Sequence, residues 1–448
     1  MTQKYYGTEG QKSIDTEVFF KLMLIGYLEN INSDRKIVET AGMRMDMLFF
    51  LGYDIDEPLP WHSTLSRTRN LFGKEVFLEM FRNILTMCIE KGMVSGKRQA
   101  VDSAFIKANA SMESLVAKES EIFYNEVVES EEANDKKGNK KHSKSREKHS
   151  DQFVSTTDPD ARVSKKQGKV PALNYFGQIS VDTANHVICG AMVDFADKKD
   201  SQCTEAIVGQ TIANLKENEI EVEEVLADTG YSSGESLRYL EEQNIEAYIP
   251  HHGAYKPEKE GFTYNKDGDC YICSQGINLD FSGIAHDKRQ GSSSFRYRSK
   301  AADCKNCPLR ETCVNKAGYK SITVTVDRDY YESAEKRINT RKGKRMMRVR
   351  AKTVEPVWGT LINFRAIKKV YTKGIDLADK QVLLAAMAYN LKKFMAYTTI
   401  KSAANAMKNA AVDLKSTVLP ILNDFLRFYQ PIFNAATKNY RCEMLLSE

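Results

Sequence analysis

The sequence lacks any apolar run long enough to cross a bilayer, and neither sign of charge dominates it. Even the apolar segment FFKLMLIGYL near the N-terminus is short and contains Lys21. In the 448 residues, 65 Lys and Arg stand against 60 Asp and Glu, a formal net charge of +5. The N-terminus also lacks the small-residue cleavage pattern of a secretory signal. We therefore expect a cytoplasmic protein without a membrane segment, in which any strongly basic surface is local.

Cysteine is scarce except in one region. Five of the nine cysteines lie between Cys270 and Cys313, in CYICSQG and CKNCPLRETC. In a reducing compartment, clustered thiolates at such spacing are more typical of metal ligands than of disulfides. The sequence predicts a structural Zn²⁺ site that uses Cys273, Cys304, Cys307 and Cys313, with Cys270 as an alternative to Cys273. The other interpretation is a set of small, buried free cysteines.

A dense basic stretch covers residues 336–374 and contains one acidic residue, Glu355. So many positive charges in one segment indicate a surface that binds phosphates. Glu355 is either half of a surface ion pair or a metal ligand beside bound nucleic acid. The second interpretation needs further carboxylates elsewhere in the chain.

Two other carboxylates fall at strand ends. GKRQAVDSAFIKANAS places Asp102 in or at the end of a predicted strand, and the apolar strand VLAD ends at Asp228. Between them, residues 175–181 and 187–193 alternate as the two strands of a hairpin, and a helical pattern follows. Side chains at the carboxyl ends of neighbouring strands converge in α/β sheets. Asp102 and Asp228 are therefore candidates for a shared site.

The N-terminal segment predicts helices. Asp15 is a candidate helix cap, and Phe77, Phe81, Ile84 and Cys88 recur at helical spacing. Ser63 is a candidate cap for a short helix bearing Arg67 and Arg69, which fits the second helix of a DNA-binding unit or simply solvated surface charge. Residues 129–150 are almost wholly polar, which indicates a mobile insertion.

The element order and four local segments resemble one enzyme family. VDSAFIKANAS, STTDPDARV, VLADTGYSSGESL and TVEPVWGTLINFR are similar to segments of bacterial insertion-sequence transposases of the DDE type. The resemblance implies an α/β fold with a ribonuclease-H-like mixed sheet flanked by helices. It implies a helical DNA-binding domain at 1–97, a catalytic domain at 98–250 with a mobile insertion at about 112–152, a Cys-rich insertion at 251–335, the rest of the catalytic domain at 336–400, and a helical tail at 401–448.

The same resemblance implies a function. Asp102, Asp228 and Glu355 would hold two Mg²⁺ ions, replaceable by Mn²⁺, for cleavage at the element ends and strand transfer. The DNA partners would be terminal inverted repeats and target DNA, bound by a homodimer in the synaptic complex. Many relatives carry Tyr, Arg and Lys around the catalytic Glu, where this chain has Arg348, Ala351 and Ile362. We expect other basic side chains to contact DNA, the candidates being Arg67, Arg69, Arg348, Arg350, Arg365 and Lys368. The alternatives are an inactive DNA-binding descendant and a nuclease that cuts without joining.

Overall fold

The structure is a computed structural model that describes residues 2–5, 13–118, 152–165, 168, 170–251, 259–287, 292–314, 318–399 and 401. The chain divides into two compact units, Met1–Leu391 and Lys392–Glu448. In the second unit the description covers only 392–399 and 401, which are helical. Residues 119–151 of the expected mobile insertion, and the tail beyond residue 401, lie outside the described residues.

Five α-helices form the N-terminal part. They are α1 (Thr16–Leu28), α2 (Asp34–Gly42), α3 (Met45–Leu51), α4 (His62–Leu71) and α5 (Lys74–Glu90). Asp15 caps α1 as predicted, because its carboxylate accepts a hydrogen bond from the Glu17 backbone N–H at 2.7 Å. The predicted cap at Ser63 is wrong, since α4 begins earlier and its N-cap is Trp61. The apolar stripe on α5 is buried as expected.

The central sheet has the ribonuclease-H-like strand order. Its strands are β1 (Arg98–Lys107), β4 (Arg162–Ser164), β5 (Ala172–Asp182), β6 (Ile188–Phe195), β7 (Glu224–Leu226) and β8 (Glu246–Tyr248). The β5–β6 hairpin is antiparallel, β5 is antiparallel to β1, and β7 and β8 continue the sheet in parallel beyond β1. Helices α6 (Thr204–Lys216) and α7 (Gly234–Glu242) follow β6 and β7. The predicted mixed α/β fold and the hairpin are confirmed.

A small hairpin and a second sheet are inserted into this frame. The hairpin pairs β2 (Leu115–Ala117) with β3 (Phe153–Ser155), so residues 115–117 at the start of the expected insertion are ordered. The second sheet contains β9 (Phe262–Asn265), β10 (Cys270–Cys273), β11 (Asn278–Asp287), β12 (Ser292–Arg298) and β13 (Ser321–Thr325), in the order β13-β12-β11-β10-β9. Short helices α8 (Ala301–Cys304) and α9 (Arg310–Cys313) join its last two strands. Buried Tyr271, Leu279, Tyr297, Ile322 and Val324 form a core of its own.

Three helices complete the described chain: α10 (Arg328–Asn339), α11 (Arg341–Phe364) and α12, which is helical from 375 through 399. Helix α11 runs through Pro356 and packs against β1. Its Trp358 is buried, and a Cβ added to Gly177 of β5 would lie 2.9 Å from the Trp358 ring. Trp358 therefore packs between α11 and the central sheet. No described helix is long and apolar enough to span a membrane.

Candidate active site

The fold places Asp102 and Asp228 at the same level of the sheet. Strands β1 and β7 are parallel, and their last paired residues are Ala100 and Leu226. Asp102 and Asp228 each lie two residues beyond that pair, so Asp102, inside β1, is level with Asp228, just past the carboxyl end of β7. Asp228 is also fixed by a local bond, because its Oδ1 accepts a hydrogen bond from the Gly230 backbone N–H at 2.9 Å. The convergence predicted from the strand ends is therefore present.

The Arg350 guanidinium lies between the two carboxylates. Its Nη2 is 2.8 Å from Asp102 Oδ1 and 3.5 Å from Asp228 Oδ2. Since both oxygens contact one nitrogen, they lie within roughly 6 Å of each other, close enough for bridging by one cation or by a pair of cations. The Asp102 and Arg350 side chains are 16% and 14% exposed, whereas that of Asp228 is 42% exposed. The site is thus open on the Asp228 side.

Burial governs the electrostatics of Asp102. Loss of solvent raises the pKa of Asp102 to about 6, against the opposing effect of the Arg350 charge. The nearby carboxylates of Asp228 and Asp200 raise this pKa further. Asp102 therefore carries a proton more readily than an ordinary aspartate when no metal neutralises the site.

Asp200 is an acidic neighbour that the sequence reasoning missed. Its Oδ1 accepts a hydrogen bond from the Ser103 hydroxyl, next to Asp102 on β1. A Cβ added to Gly230 would lie 2.4 Å from Asp200 Oδ2 and 3.0 Å from Asp228 Oδ1, so both carboxylates pack against this glycine. Burial also raises the pKa of Asp200, which the Ser103 bond opposes. The strand order could have identified Asp200 as a site residue. Strand β6 runs parallel to β1, and Asp200 follows the end of β6 on the same side of the sheet.

Glu355 is not in contact with the two aspartates in this structure. Its side chain is exposed, and it makes no ion pair or side-chain hydrogen bond with any residue that the structure describes. It follows Arg350 by five residues on α11, which corresponds to roughly 140° around a helix axis. The helix turn that directs Arg350 onto Asp102 therefore directs Glu355 elsewhere.

The basic candidates divide into exposed and buried groups. Arg67, Arg348 and Lys368 are exposed. Arg69 is buried and donates to the Asp34 carboxylate at 2.6 and 3.0 Å, and Arg365 is buried and donates to the Leu28 carbonyl at 3.2 Å. Burial lowers the pKa of Arg365. Arg69 and Arg365 are committed to interior contacts and do not offer their charges to DNA here.

The expected zinc ligands are not assembled. Within the described part of the chain, which includes all five clustered cysteines, no group of three or more His, Cys, Asp or Glu side chains is arranged to hold a metal ion. Cys304 is buried with its Sγ 3.1 Å from Ser299 Oγ, and Cys273 packs beside the core of the second sheet. The thiols therefore do not fit the predicted zinc centre. Because the second sheet has an aromatic core, it does not need a metal to compensate for a missing one.

The carboxylates of this site have the chemistry to bind a hard cation, but in this structure they are not arranged around one ion position. Mg²⁺ binds carboxylate oxygens and water, which Asp102, Asp228 and Asp200 can provide. The described carboxylates are held around a guanidinium rather than around a common ion position. A divalent ion at Asp102 Oδ1 would compete with the Arg350 guanidinium for that oxygen.

Two family models match the chain. A model described as "Transposase domain (DUF772)" matches residues 1–71, and one described as "Transposase DDE domain" matches residues 272–395. Both matches are to transposase domains, and together they support a DDE-type transposase. The second match includes Arg350 and Glu355, whereas Asp102 and Asp228 lie between the two matched segments.

One solved structure gives a further comparison. The chain is similar to the solved structure of the "Mos1 transposase paired-end complex with left transposon end" at 14% identity, over 56% of this chain and 63% of that chain, with a TM-score of 0.17. The chain thus spans less than two thirds of that transposase, and a score this low carries no argument about the site. No curated protein sequence matches the chain.

Proposed function

We propose that this transposase cleaves DNA at the ends of an insertion sequence and joins the freed 3′-hydroxyls to target DNA. Asp102, Asp228 and Glu355 are the proposed metal ligands. The observation that carries the proposal is the meeting of Asp102 and Asp228 beside the carboxyl end of β7, where one nitrogen of Arg350 contacts both. Glu355 is included because it lies on α11, which packs against β1, within the region matched by the DDE transposase domain.

The chemistry explains why carboxylates are needed. Bound divalent ions would activate the attacking water or 3′-hydroxyl and stabilise the leaving oxygen. Asp102 is held rigidly within β1, and the Gly230 amide orients Asp228. These two side chains can therefore fix the position of a scissile phosphate relative to the sheet. Glu355 has the longer side chain and lies on α11, from which it must turn toward the aspartates when metal and DNA are bound.

The DNA would lie along the basic face of α11. Exposed basic side chains lie along this helix on both sides of Arg350, among them Lys344, Arg345, Arg348 and Lys352. Exposed Lys368 continues the basic surface after the helix, and exposed Arg67 on α4 is a candidate contact for the terminal inverted repeat. Two ends must be held together for joining, so we propose a homodimer in the synaptic complex.

The test is an end-cleavage assay with the full chain, Mg²⁺ and a labelled duplex copied from the inverted repeats that flank the gene. Asp228→Asn should abolish cleavage while leaving DNA affinity unchanged, because it removes a metal ligand without altering the basic surface. The matched control is Asp267→Asn, an exposed aspartate in the turn between β9 and β10. Wild-type cleavage by Asp228→Asn would contradict the assignment.

The same assay separates the alternatives. Cleavage followed by joining supports the transposase reaction, and cleavage without joining indicates a nuclease. A wild-type protein that binds the end duplex but never cuts it indicates an inactive DNA-binding descendant.

A further inference from the structure

Arg350 is bound almost entirely by the carboxylates that it separates. Its Nη2 makes the contacts with Asp102 and Asp228, while its Nε is buried and has no hydrogen-bond partner in the described structure. A buried guanidinium is well stabilised only when its donors are satisfied in a fixed, bidentate geometry. Arg350 is therefore held mainly by charge attraction, with incomplete hydrogen bonding of its guanidinium. A competing cation can displace a guanidinium bound in this way.

The charges explain why a cation must be present at all. Asp102 and Asp228 both contact one nitrogen of Arg350, and Asp200 lies beside them, bonded to the Ser103 hydroxyl and packed with Asp228 against Gly230. Converging carboxylates without a positive charge between them repel one another. The guanidinium supplies one such charge in the metal-free protein. A divalent ion would supply two charges at the same oxygens.

We propose that Arg350 is an internal counter-cation that holds Asp102 and Asp228 in place before metal binds and competes with the divalent ion for their oxygens. This inference rests on the proposed function, because it assumes that these two aspartates hold metal. Arg350 is thus a positioning residue. Once displaced, its guanidinium needs another anion, and a phosphate of bound DNA is the partner that a planar guanidinium recognises best.

The test is a calorimetric titration of the full, metal-free chain with Mn²⁺ in the absence of DNA. Removing the competitor should tighten binding, so Arg350→Gln should lower the Kd for Mn²⁺ by about tenfold, equivalent to about 1.4 kcal/mol. Arg350→Lys keeps a positive charge near the aspartates and should stay within about threefold of the wild type. Lys352→Gln is the matched control, because it removes the same charge from an exposed position on the same helix, and it should leave the Kd unchanged.

A thermal melt gives a second readout. Without metal, Arg350→Gln leaves the buried Asp102 uncompensated, so its melting temperature should fall below that of the wild type. Saturating Mn²⁺ should then raise the melting temperature of Arg350→Gln by more than it raises that of the wild type. If Arg350→Gln does not fold without metal, its recovery on addition of Mn²⁺ supports the inference, and its failure to recover contradicts it.

The outcomes distinguish this inference from the proposed function. An Arg350→Gln variant that binds Mn²⁺ as the wild type does, or more weakly, overturns the role of Arg350 as a competitor. If Asp228→Asn weakens Mn²⁺ binding in that same experiment, the metal site stands and only this inference fails. If Asp228→Asn leaves Mn²⁺ binding unchanged, the proposed metal site itself is contradicted.

Discussion

Gly230 gives the sharpest structural prediction about the site. It lies in the turn after β7, and a Cβ at this position would be 2.4 Å from Asp200 Oδ2 and 3.0 Å from Asp228 Oδ1. The backbone of Gly230 has no positive φ, so Gly230→Ala introduces no conformational strain of that kind. The methyl group would instead push the two carboxylates outward. Because ordinary contact begins near 3.4 Å, the displacement is roughly 1 Å at Asp200.

Asp200 is bonded to Ser103, next to Asp102, so a shift of that size beside the proposed metal ligands costs about 100-fold in rate. We expect Gly230→Ala to lower the rate of end cleavage by about that factor, with DNA affinity unchanged and a melting temperature close to that of the wild type. The assay is single-turnover cleavage of the labelled end duplex. Gly209→Ala in α6 is the control, since its Cβ would meet only the Tyr239 hydroxyl at 3.4 Å. Wild-type cleavage by Gly230→Ala would refute the reasoning that these carboxylates must stay where they are.

Three further predictions concern pH, the N-terminal helices and zinc. Because burial raises the pKa of Asp102 to about 6, protons should compete with metal below that pH and weaken Mn²⁺ binding roughly tenfold per pH unit. The raised pKa also means that the metal-free protein loses folding stability as pH rises from about 4 to 6. Asp102→Asn should flatten this pH dependence of stability, and an unchanged dependence would contradict the raised pKa. Arg69→Ala should lower the free energy of unfolding by about 3 kcal/mol because it leaves Asp34 without its partner. Arg67→Ala should instead leave stability unchanged and weaken DNA binding. Equal melting curves for the two variants would contradict a structural role for Arg69 and a DNA-binding role for Arg67. Elemental analysis should find no stoichiometric zinc, with Cys307→Ser folding normally; one zinc per chain would show that the cysteines rearrange.

The fold followed from the sequence because its signals were local. Alternating strands on either side of a turn, helical stripes and an apolar VLAD strand fixed the element order, and that order permits few sheet topologies. The proximity of Asp102 and Asp228 followed from the same logic in part, because β1 and β7 are parallel neighbours. Asp102 lies inside β1, which continues to Lys107, whereas Asp228 lies beyond the end of its strand. Asp200 obeyed that rule too, but it lies in a polar segment after β6 in which nothing distinguishes it from surface charge.

The sequence could not predict which charged side chains are buried. Arg67 and Arg69 look alike in the chain, yet Arg69 turns inward because Asp34 of α2 lies within reach. The roles on α11 were likewise hidden, since only the helix packing shows that Arg350 faces Asp102 and that Glu355 does not. Cysteine spacing suggested zinc because the aromatic core of the second sheet, built by strands far apart in sequence, was not visible.

Iron-directed backbone cleavage tests the central claim most directly. Fe²⁺ would replace Mg²⁺ in the wild-type protein bound to its end duplex, and ascorbate with peroxide would generate hydroxyl radicals at the metal. The account predicts chain breaks, located by mass spectrometry, next to residues 102, 228 and 355, all of them lost in Asp228→Asn. Breaks at 102 and 228 without any near 355 would remove Glu355 from the site, and breaks confined to other segments would contradict the proposed active site as a whole.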